Sequence, residues 1–274
     1  MNSARDLSIV IVSHNHAAVL AKCLASLFCC ASAASFDVLV IDNTRADGIG
    51  DWVRAQYPQV RIVGNEAPRG FAANVNCGIS FHPESRYVLL LNPDTECLPG
   101  LLDELVNFMD LNEDVGIAGP MLLNLDETLQ ASCRRFSSPA TVLMRGLHLD
   151  GVAPGLTGIR EYLMEDFDHC SVAEVDWVTG AALIARRTAI ADVGLMDDDR
   201  YFLYAEDQDW CLRMWRAGWR VCYVPQARAR HVHGREGIRK PWSKAGRYQV
   251  VSALRMFRKF GWKLDRRDSA QPDA

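Results

Sequence analysis

No stretch of this sequence approaches the roughly 20 consecutive apolar residues that a helix needs to cross a bilayer. The first apolar run, Leu7 to Val12, is also too short for a secretory leader. A soluble protein, at most peripheral on the inner face of a membrane, is expected. Paired cysteines are missing too. The nine cysteines are an odd number, Cys29 and Cys30 are adjacent, and no CxxC occurs, so neither a disulfide framework nor a zinc ribbon is suggested. Cys23, Cys77, Cys211 and Cys222 lie among apolar neighbours, where cysteine serves as a small hydrophobe. A reducing cytoplasm suits that usage. Strong charge of one sign is absent: the net charge of −4 argues against a general nucleic-acid binder. The average hides an asymmetry, because from Arg228 onward thirteen Lys/Arg face four Asp/Glu.

Several catalytic signatures are missing as well. The first apolar run is followed by Ser13-His14-Asn15-His16 in place of GxGxxG, which disfavours a dinucleotide oxidoreductase. No GxxxxGK[ST] is present, which excludes a phosphate-loop NTPase, and no GxSxG marks a serine elbow. Neither an internal repeat nor a linker divides the chain. One domain over 1–262 is expected, with a first half to about 120, a second half over about 121–240, a basic helix to 262 and a polar tail over 263–274.

What is present reads as an α/β protein. At 49% hydrophobic and 23% charged residues the composition is that of a globular chain. Short β-branched runs at Leu7–Ser13, Phe36–Ile41, Val60–Val63 and Tyr87–Leu91 predict buried strands. Between them stand helical patterns: Val19, Leu20, Cys23, Leu24 and Leu27 after a capping Asn15, then "GDWVRAQYP", then "GFAANVNCGISF". Leu101–Leu111 predicts a further helix and Gly116–Gly119 a short strand. Such alternation implies a parallel sheet covered on both faces, with ligand outside the carboxyl ends of its strands. Met121 to Asp176 reads as loop-rich, with short strands and helices. "VDWVTGAALIARR" predicts strand, turn and strand, "AEDQDWCLRMWRAGW" a helix stopped by Gly218, and "RVCYVP" a strand closed by Pro225. From about Tyr248 to Phe260 a basic amphipathic helix carries Val250, Leu254 and Phe257 on one side.

Four features could bear chemistry. The buried strand "YVLLLNPDTE" ends by presenting Asp94, and "VIDN" presents Asp42 in the same way; a turn or a cap is the plainer reading of each. Glu206, Asp207 and Asp209 crowd one probable helix N-terminus. One acid there would satisfy the helix dipole, whereas three repel one another. His231 and His233 share a face if extended, as metal ligands, a general base or surface residues. Gly64, Asn65, Arg69, Gly70 and Asn74 precede a helix, a weak signal for an anion or nucleotide.

Taken in order, "IVIVSHNHAAVLAKCLASL", "VLVIDNTRADG", "NEAPRGFAANVNCGI", "YVLLLNPDTE", "VDWVTGAALIARR" and "MDDDRYFLYAEDQDWCLRMWRAGWRVCYVPQARARHVHG" resemble an inverting family 2 glycosyltransferase, and within it the bacterial rhamnosyltransferase-like branch. The resemblance runs from about residue 7 to 262. It implies a GT-A fold, a Rossmann-like, mostly parallel sheet with flanking helices joined to an acceptor-binding C-terminal half. It implies transfer of a sugar from a nucleotide diphosphate to a hydroxyl with Mn²⁺ or Mg²⁺.

Carried onto this chain, the resemblance places Ser13, His14, Asn15, Asp42, Arg69, Gly70 and Asn92 at the nucleotide. Asp94 ends a DXD-like Asn92-Pro93-Asp94 as metal ligand, completed by His231, with His233 as fallback. Asp207 of the Glu206-Asp207 pair matches the catalytic base. Trp177, Thr179, Gly180 and Asp209 are expected around the sugars. His14 stands where Tyr is common, and Met196-Asp197 where Gly-Phe-Asp is usual. The branch points to dTDP-L-rhamnose as donor and a saccharide or lipid-linked saccharide as acceptor in cell-surface polysaccharide synthesis. Another UDP- or GDP-sugar, or a non-catalytic nucleotide-sugar binder, are the alternatives. The C-terminal basic helix suits an anionic membrane surface; packing of its apolar side on the domain or on another copy in a homo-oligomer is the rival reading.

Overall fold

The computed structural model describes residues 5–30, 32–45, 48–146, 157–232 and 244–266. Strand β1 (Leu7–Ser13) is buried along its length because it pairs in parallel on both sides, with β2 (Phe36–Asp42) and β4 (Tyr87–Leu91). β3 (Arg61–Gly64) continues the parallel set beyond β2. Side chains of a strand alternate between faces. Leu7, Ile9 and Ile11 accordingly meet Leu20, Cys23, Leu24 and Leu27 of α1 (Ala17–Cys29), together with Leu101 and Leu105 of α4 (Leu101–Leu111). Val10, Leu39 and Leu90 meet Ala72, Val75 and Ile79 of α3 (Phe71–Phe81) on the other face. Gly78 lets α3 approach, since a Cβ there would lie 2.3 Å from Val10 Cγ1. The short α2 (Ile49–Gln56) leads into β3. Asn15 does not cap α1: it sits at φ +57°, and its side chain is turned to Thr44 Oγ1 at 2.8 Å.

The remaining strands mix directions. β5 (Thr95–Cys97) is followed by α4 and by β6 (Val115–Leu123), which is longer than the four residues expected. With β11 (Ala182–Arg186) and β12 (Arg220–His231), the main path runs β3-β2-β1-β4-β11-β6-β12-β5, in which β12 is parallel to β6 and β11 antiparallel to both β4 and β6. β10 (Trp177–Val178) stands outside this sheet and reaches β11 through residues 179–181. The loop-rich segment carries short elements: β7 (Leu129–Gln130), β8 (Cys133–Arg134), α5 (Pro139–Gly146), α6 (Thr157–Leu163) and β9 (Ala173–Glu174). Helices α7 (Arg187–Val193) and α8 (Glu206–Arg216) precede β12 (Arg220–His231).

Pro225 does not close β12. The strand shifts register against β6 between Val224 and Arg228, where a proline costs no ladder bond, and runs on to His231. The final helix, α9 (Lys244–Phe260), buries Ser252, Ala253, Met256 and Phe257. Val250 and Leu254, expected on one side with Phe257, are exposed while Phe257 is buried, so the three do not share one face.

Candidate active site

The carboxyl end of β4 opens into Asn92-Pro93-Asp94-Thr95. Its backbone is tied to the start of β11: the Asn92 N–H donates to Ala181 O at 2.8 Å, and the Thr95 hydroxyl donates to the same oxygen at 3.1 Å. β12 arrives from the other side, pairing His231 with Thr95, and the Val232 N–H donates to Asp94 O at 2.9 Å. The bulge at Pro225 thus delivers His231 to Asp94, with Nε2 lying 3.2 Å from Asp94 Oδ1. His231 is buried and Asp94 half-buried. Two donors about 2.1 Å from one octahedral ion and at right angles to each other lie about 3.0 Å apart. The observed separation and the oxygen-plus-imidazole chemistry therefore fit a shared divalent ion, the imidazole tilting preference toward Mn²⁺ over Mg²⁺. No group of three or more His, Cys, Asp or Glu converges among the described residues, so this pair supplies what side chains offer such an ion there. His233 lies outside the described residues.

At the carboxyl ends of β1 to β3 the expected nucleotide-binding residues come together. Asn43, which the sequence did not single out, is the hub. Its Nδ2 approaches His14 Nδ1 at 3.3 Å and donates to Arg69 O at 3.0 Å, while its Oδ1 accepts from Arg69 N and Asn65 Nδ2, each at 2.8 Å. Asn65 also donates to Asn74 Oδ1 at 2.6 Å, and Asn74 donates to Gly70 O at 2.9 Å. Asp42 is buried and uses Oδ1 to hold the next turn, accepting from Arg45 N at 2.9 Å. Ser13 Oγ is buried without a hydrogen-bond partner among the described residues.

The third group gathers at the start of α8. Tyr204 and Ala205 both adopt left-handed backbone, φ +69° and +70°, turning the chain sharply into the helix. Asp207 is half-buried; its Oδ2 accepts from Gly180 N at 3.1 Å and its Oδ1 from Gln208 N at 2.8 Å. Glu206 lies deeper, 5% exposed, with Oε2 lacking a hydrogen-bond partner among the described residues. Asp209 departs from its expected place at the sugar. It is fully buried, bonded to Arg213 Nε and Lys259 Nζ at 2.6 Å each and to the Tyr201 hydroxyl at 3.1 Å, so it anchors α8 to α9. Trp177 is likewise buried, donating from Nε1 to Arg135 O at 2.8 Å, with the Arg134 guanidinium 5.0 Å over its ring. It serves the core of the wall and offers no open face to a sugar. Thr179 is half-buried and donates its N–H to Ser132 O at 2.9 Å.

Compared with known proteins, residues 4–247 match the family described as "Glycosyltransferase like family 2". The chain belongs to that family. It is 30% identical over 269 residues to an N-acetylglucosaminyl-diphospho-decaprenol L-rhamnosyltransferase of Mycobacterium tuberculosis, a match covering 93% of this chain and 86% of the relative. It is 28% identical to the rhamnosyltransferase WbbL of Escherichia coli K12, covering 90% of each. Among solved structures, the mannosyltransferase PcManGT of Pyrobaculum calidifontis in complex with GDP-Man and Mn²⁺ superposes with a TM-score of 0.61 at 15% identity, over 94% of this chain and 65% of that one. That likeness carries the fold, which is GT-A.

In this glycosyltransferase the two neighbouring acids of α8 are separated by environment. Burial pushes the Glu206 carboxyl well above its usual range, and the charge of Asp207 pushes it further. Burial raises Asp207 too, but the N–H groups of Gly180 and Gln208 and the charge of Arg134 pull the other way. Hydrogen bonds to the ionised form favour it, so Asp207 ionises before Glu206. Burial is the main cause of the rise at Asp207.

Proposed function

We propose that this glycosyltransferase moves L-rhamnose from dTDP-L-rhamnose to a hydroxyl of a saccharide carried on a lipid diphosphate, with inversion at the anomeric carbon. The observation that supports it most is the attachment of both acids to consecutive residues, Asp207 to Gly180 and the Asp94 loop to Ala181. The choice of donor and acceptor rests on the relative named for transferring L-rhamnose to an N-acetylglucosaminyl-diphospho lipid.

The bond from the acceptor oxygen to C1 forms as the bond from C1 to the diphosphate oxygen breaks. Asp207 takes the proton that the acceptor hydroxyl loses, a contribution of about 10²–10⁴-fold for a positioned base. Its two backbone N–H partners fix the orientation of the carboxylate. The Asn43-Asn65-Asn74 network holds Arg69 and Gly70 beside the nucleotide. A divalent ion held by Asp94 and His231 would supply Lewis-acid relief of the charge on the departing diphosphate. Asp94 sits at the end of a rigid buried strand, which suits this task because misplacement by about 1 Å can cost roughly 10²-fold.

The lipid end of the acceptor favours a membrane partner. On α9, Arg247, Val250, Val251, Leu254, Arg255 and Arg258 form one exposed stripe in which apolar and basic residues interleave. That pattern matches an anionic bilayer surface, and binding to anionic vesicles that is lost in a Val250→Asp/Leu254→Asp variant is the expected result.

A thermal-shift panel of nucleotide sugars with Mn²⁺, followed by product analysis with the best binder, tests the reading. It expects the largest shift from dTDP-L-rhamnose, an inverted product and silence under chelator. A UDP- or GDP-sugar binding and turning over better would replace the donor, and turnover indifferent to chelator would remove the ion from Asp94 and His231.

A further inference from the structure

Gln130 lies on β7, a two-residue strand beside the end of β6, in the region whose sequence reads as loop-rich. Its side chain makes three polar contacts, two of them to one residue. The amide nitrogen donates to Asn124 Oδ1 at 3.0 Å and to the backbone carbonyl of His231 at 3.3 Å. The amide oxygen lies 2.7 Å from His231 Nδ1.

The orientation of the amide follows from chemistry. A backbone carbonyl can only accept, so the NH₂ end of Gln130 must face it. Asn124 agrees, because its own Nδ2 is engaged as donor to Thr128 Oγ1 at 2.9 Å, leaving its oxygen toward Gln130. Gln130 Oε1 is then the atom at the imidazole, and an amide oxygen can only accept. Nδ1 therefore carries hydrogen. Asn92 Nδ2 stands 3.5 Å from Nε2. Nε2 faces the Asp94 carboxylate oxygen at 3.2 Å, and because that oxygen can only accept, an ion or a hydrogen must lie between the two atoms.

We propose that Gln130 is a positioning residue for the cation site: by gripping both the ring and the carbonyl of His231, it fixes the tautomer and ring orientation in which Nε2 is a ligand. The inference rests on Asp94 and His231 holding a divalent ion. Outer partners of this kind set ligand orientation, and their loss typically costs about 10–100-fold in metal affinity.

The test titrates Mn²⁺ alone into the full chain, read by electron paramagnetic resonance, for wild type, Gln130→Met, Gln130→Glu and Asn124→Ala. Gln130→Met keeps the bulk and removes the acceptor, and should weaken Mn²⁺ about 10–100-fold. Gln130→Glu keeps an acceptor at Nδ1 but loses the donor to the His231 carbonyl, and should restore part of the affinity. Asn124→Ala loosens only the outer hold and should fall between. Nitrogen-15 spectra of the wild-type protein should show His231 with hydrogen on Nδ1, a readout that needs no variant to fold. Equal Mn²⁺ affinity in wild type and Gln130→Met, or hydrogen on Nε2 alone in wild type, would overturn the role of Gln130 and leave the ion site standing. Absence of Mn²⁺ binding in wild type would overturn both.

Discussion

Gly180 donates its backbone N–H to Asp207 at 3.1 Å, while the carbonyl of its neighbour Ala181 receives the Asn92 N–H at 2.8 Å. One peptide segment therefore supports the acid at the end of β4 and the acid at the start of α8. These acids are more than a hundred residues apart in sequence, yet a single turn sets their relation. An antiparallel β11 makes this possible, because its first residues lie at the carboxyl end of β4, where a parallel strand would place its last.

Asp207 must be ionised to receive a proton, and burial raises its carboxyl. The rate of transfer should therefore fall with decreasing pH while still above the range of an exposed aspartate, with the descending limb on the acid side. Asp207→Asn should reduce turnover by about 10²–10⁴-fold and abolish that limb. A pH profile of kcat/KM for both proteins checks this, and an unchanged limb in the variant would assign it to another group.

Glu206 offers a stability test. Its folded-state pKa lies above the unfolded one, so its contribution is fully present below the ordinary carboxylate range and is lost as pH rises through the folded-state value. Glu206→Gln removes that loss. Thermal unfolding should show the variant gaining on wild type as pH increases, with the difference absent in acid. A constant offset at all pH values would mean that the proton on Glu206 is not at issue.

Asp209 ties α8 to α9 through Lys259, and Lys259 also reaches Asp197 at 2.7 Å. Removing one partner of a buried ion pair costs about 3–5 kcal/mol. Asp209→Ala should therefore lower the unfolding temperature, by about 2–4 °C for each kcal/mol in a chain of this size. The protein that remains folded should bind donor nucleotide normally by calorimetry. Weakened donor binding with unchanged stability would return Asp209 to the sugar.

Gly70 is closed in by the loop before α8: a Cβ would stand 2.8 Å from Phe202 O, and the Phe71 N–H donates to that same oxygen at 2.8 Å. Gly70→Ala must displace backbone, at a cost of about 1–3 kcal/mol if other overpacking is a guide. The loop it displaces leads into Asp207, so kcat should fall along with donor affinity. Unaltered kinetics would show that the two loops move independently.

Local pattern made much of this architecture legible. β1 and α4 have the limits expected from residue type, since a β-branched run and a 3.6-residue apolar repeat are set by nearest neighbours. The direction of β11 was not legible, because strand direction depends on how the chain enters the sheet. Pro225 misled for a related reason: a proline ends a regular strand, but a bulge absorbs it. Asn43 and Gln130 bear no signature, being ordinary polar residues whose roles arise from partners 26 and 101 positions away. Asp209 showed the reverse error, where an acid beside Asp207 looked chemical and is held by Arg213 and Lys259.

Calorimetric titration of dTDP-L-rhamnose with Mn²⁺ into Asp94→Asn and Asp207→Asn, both expected to be slow in transfer, tests the division of labour most directly. Donor binding should be lost in the first and kept in the second. Equal loss in both, or loss confined to Asp207→Asn, would contradict the account.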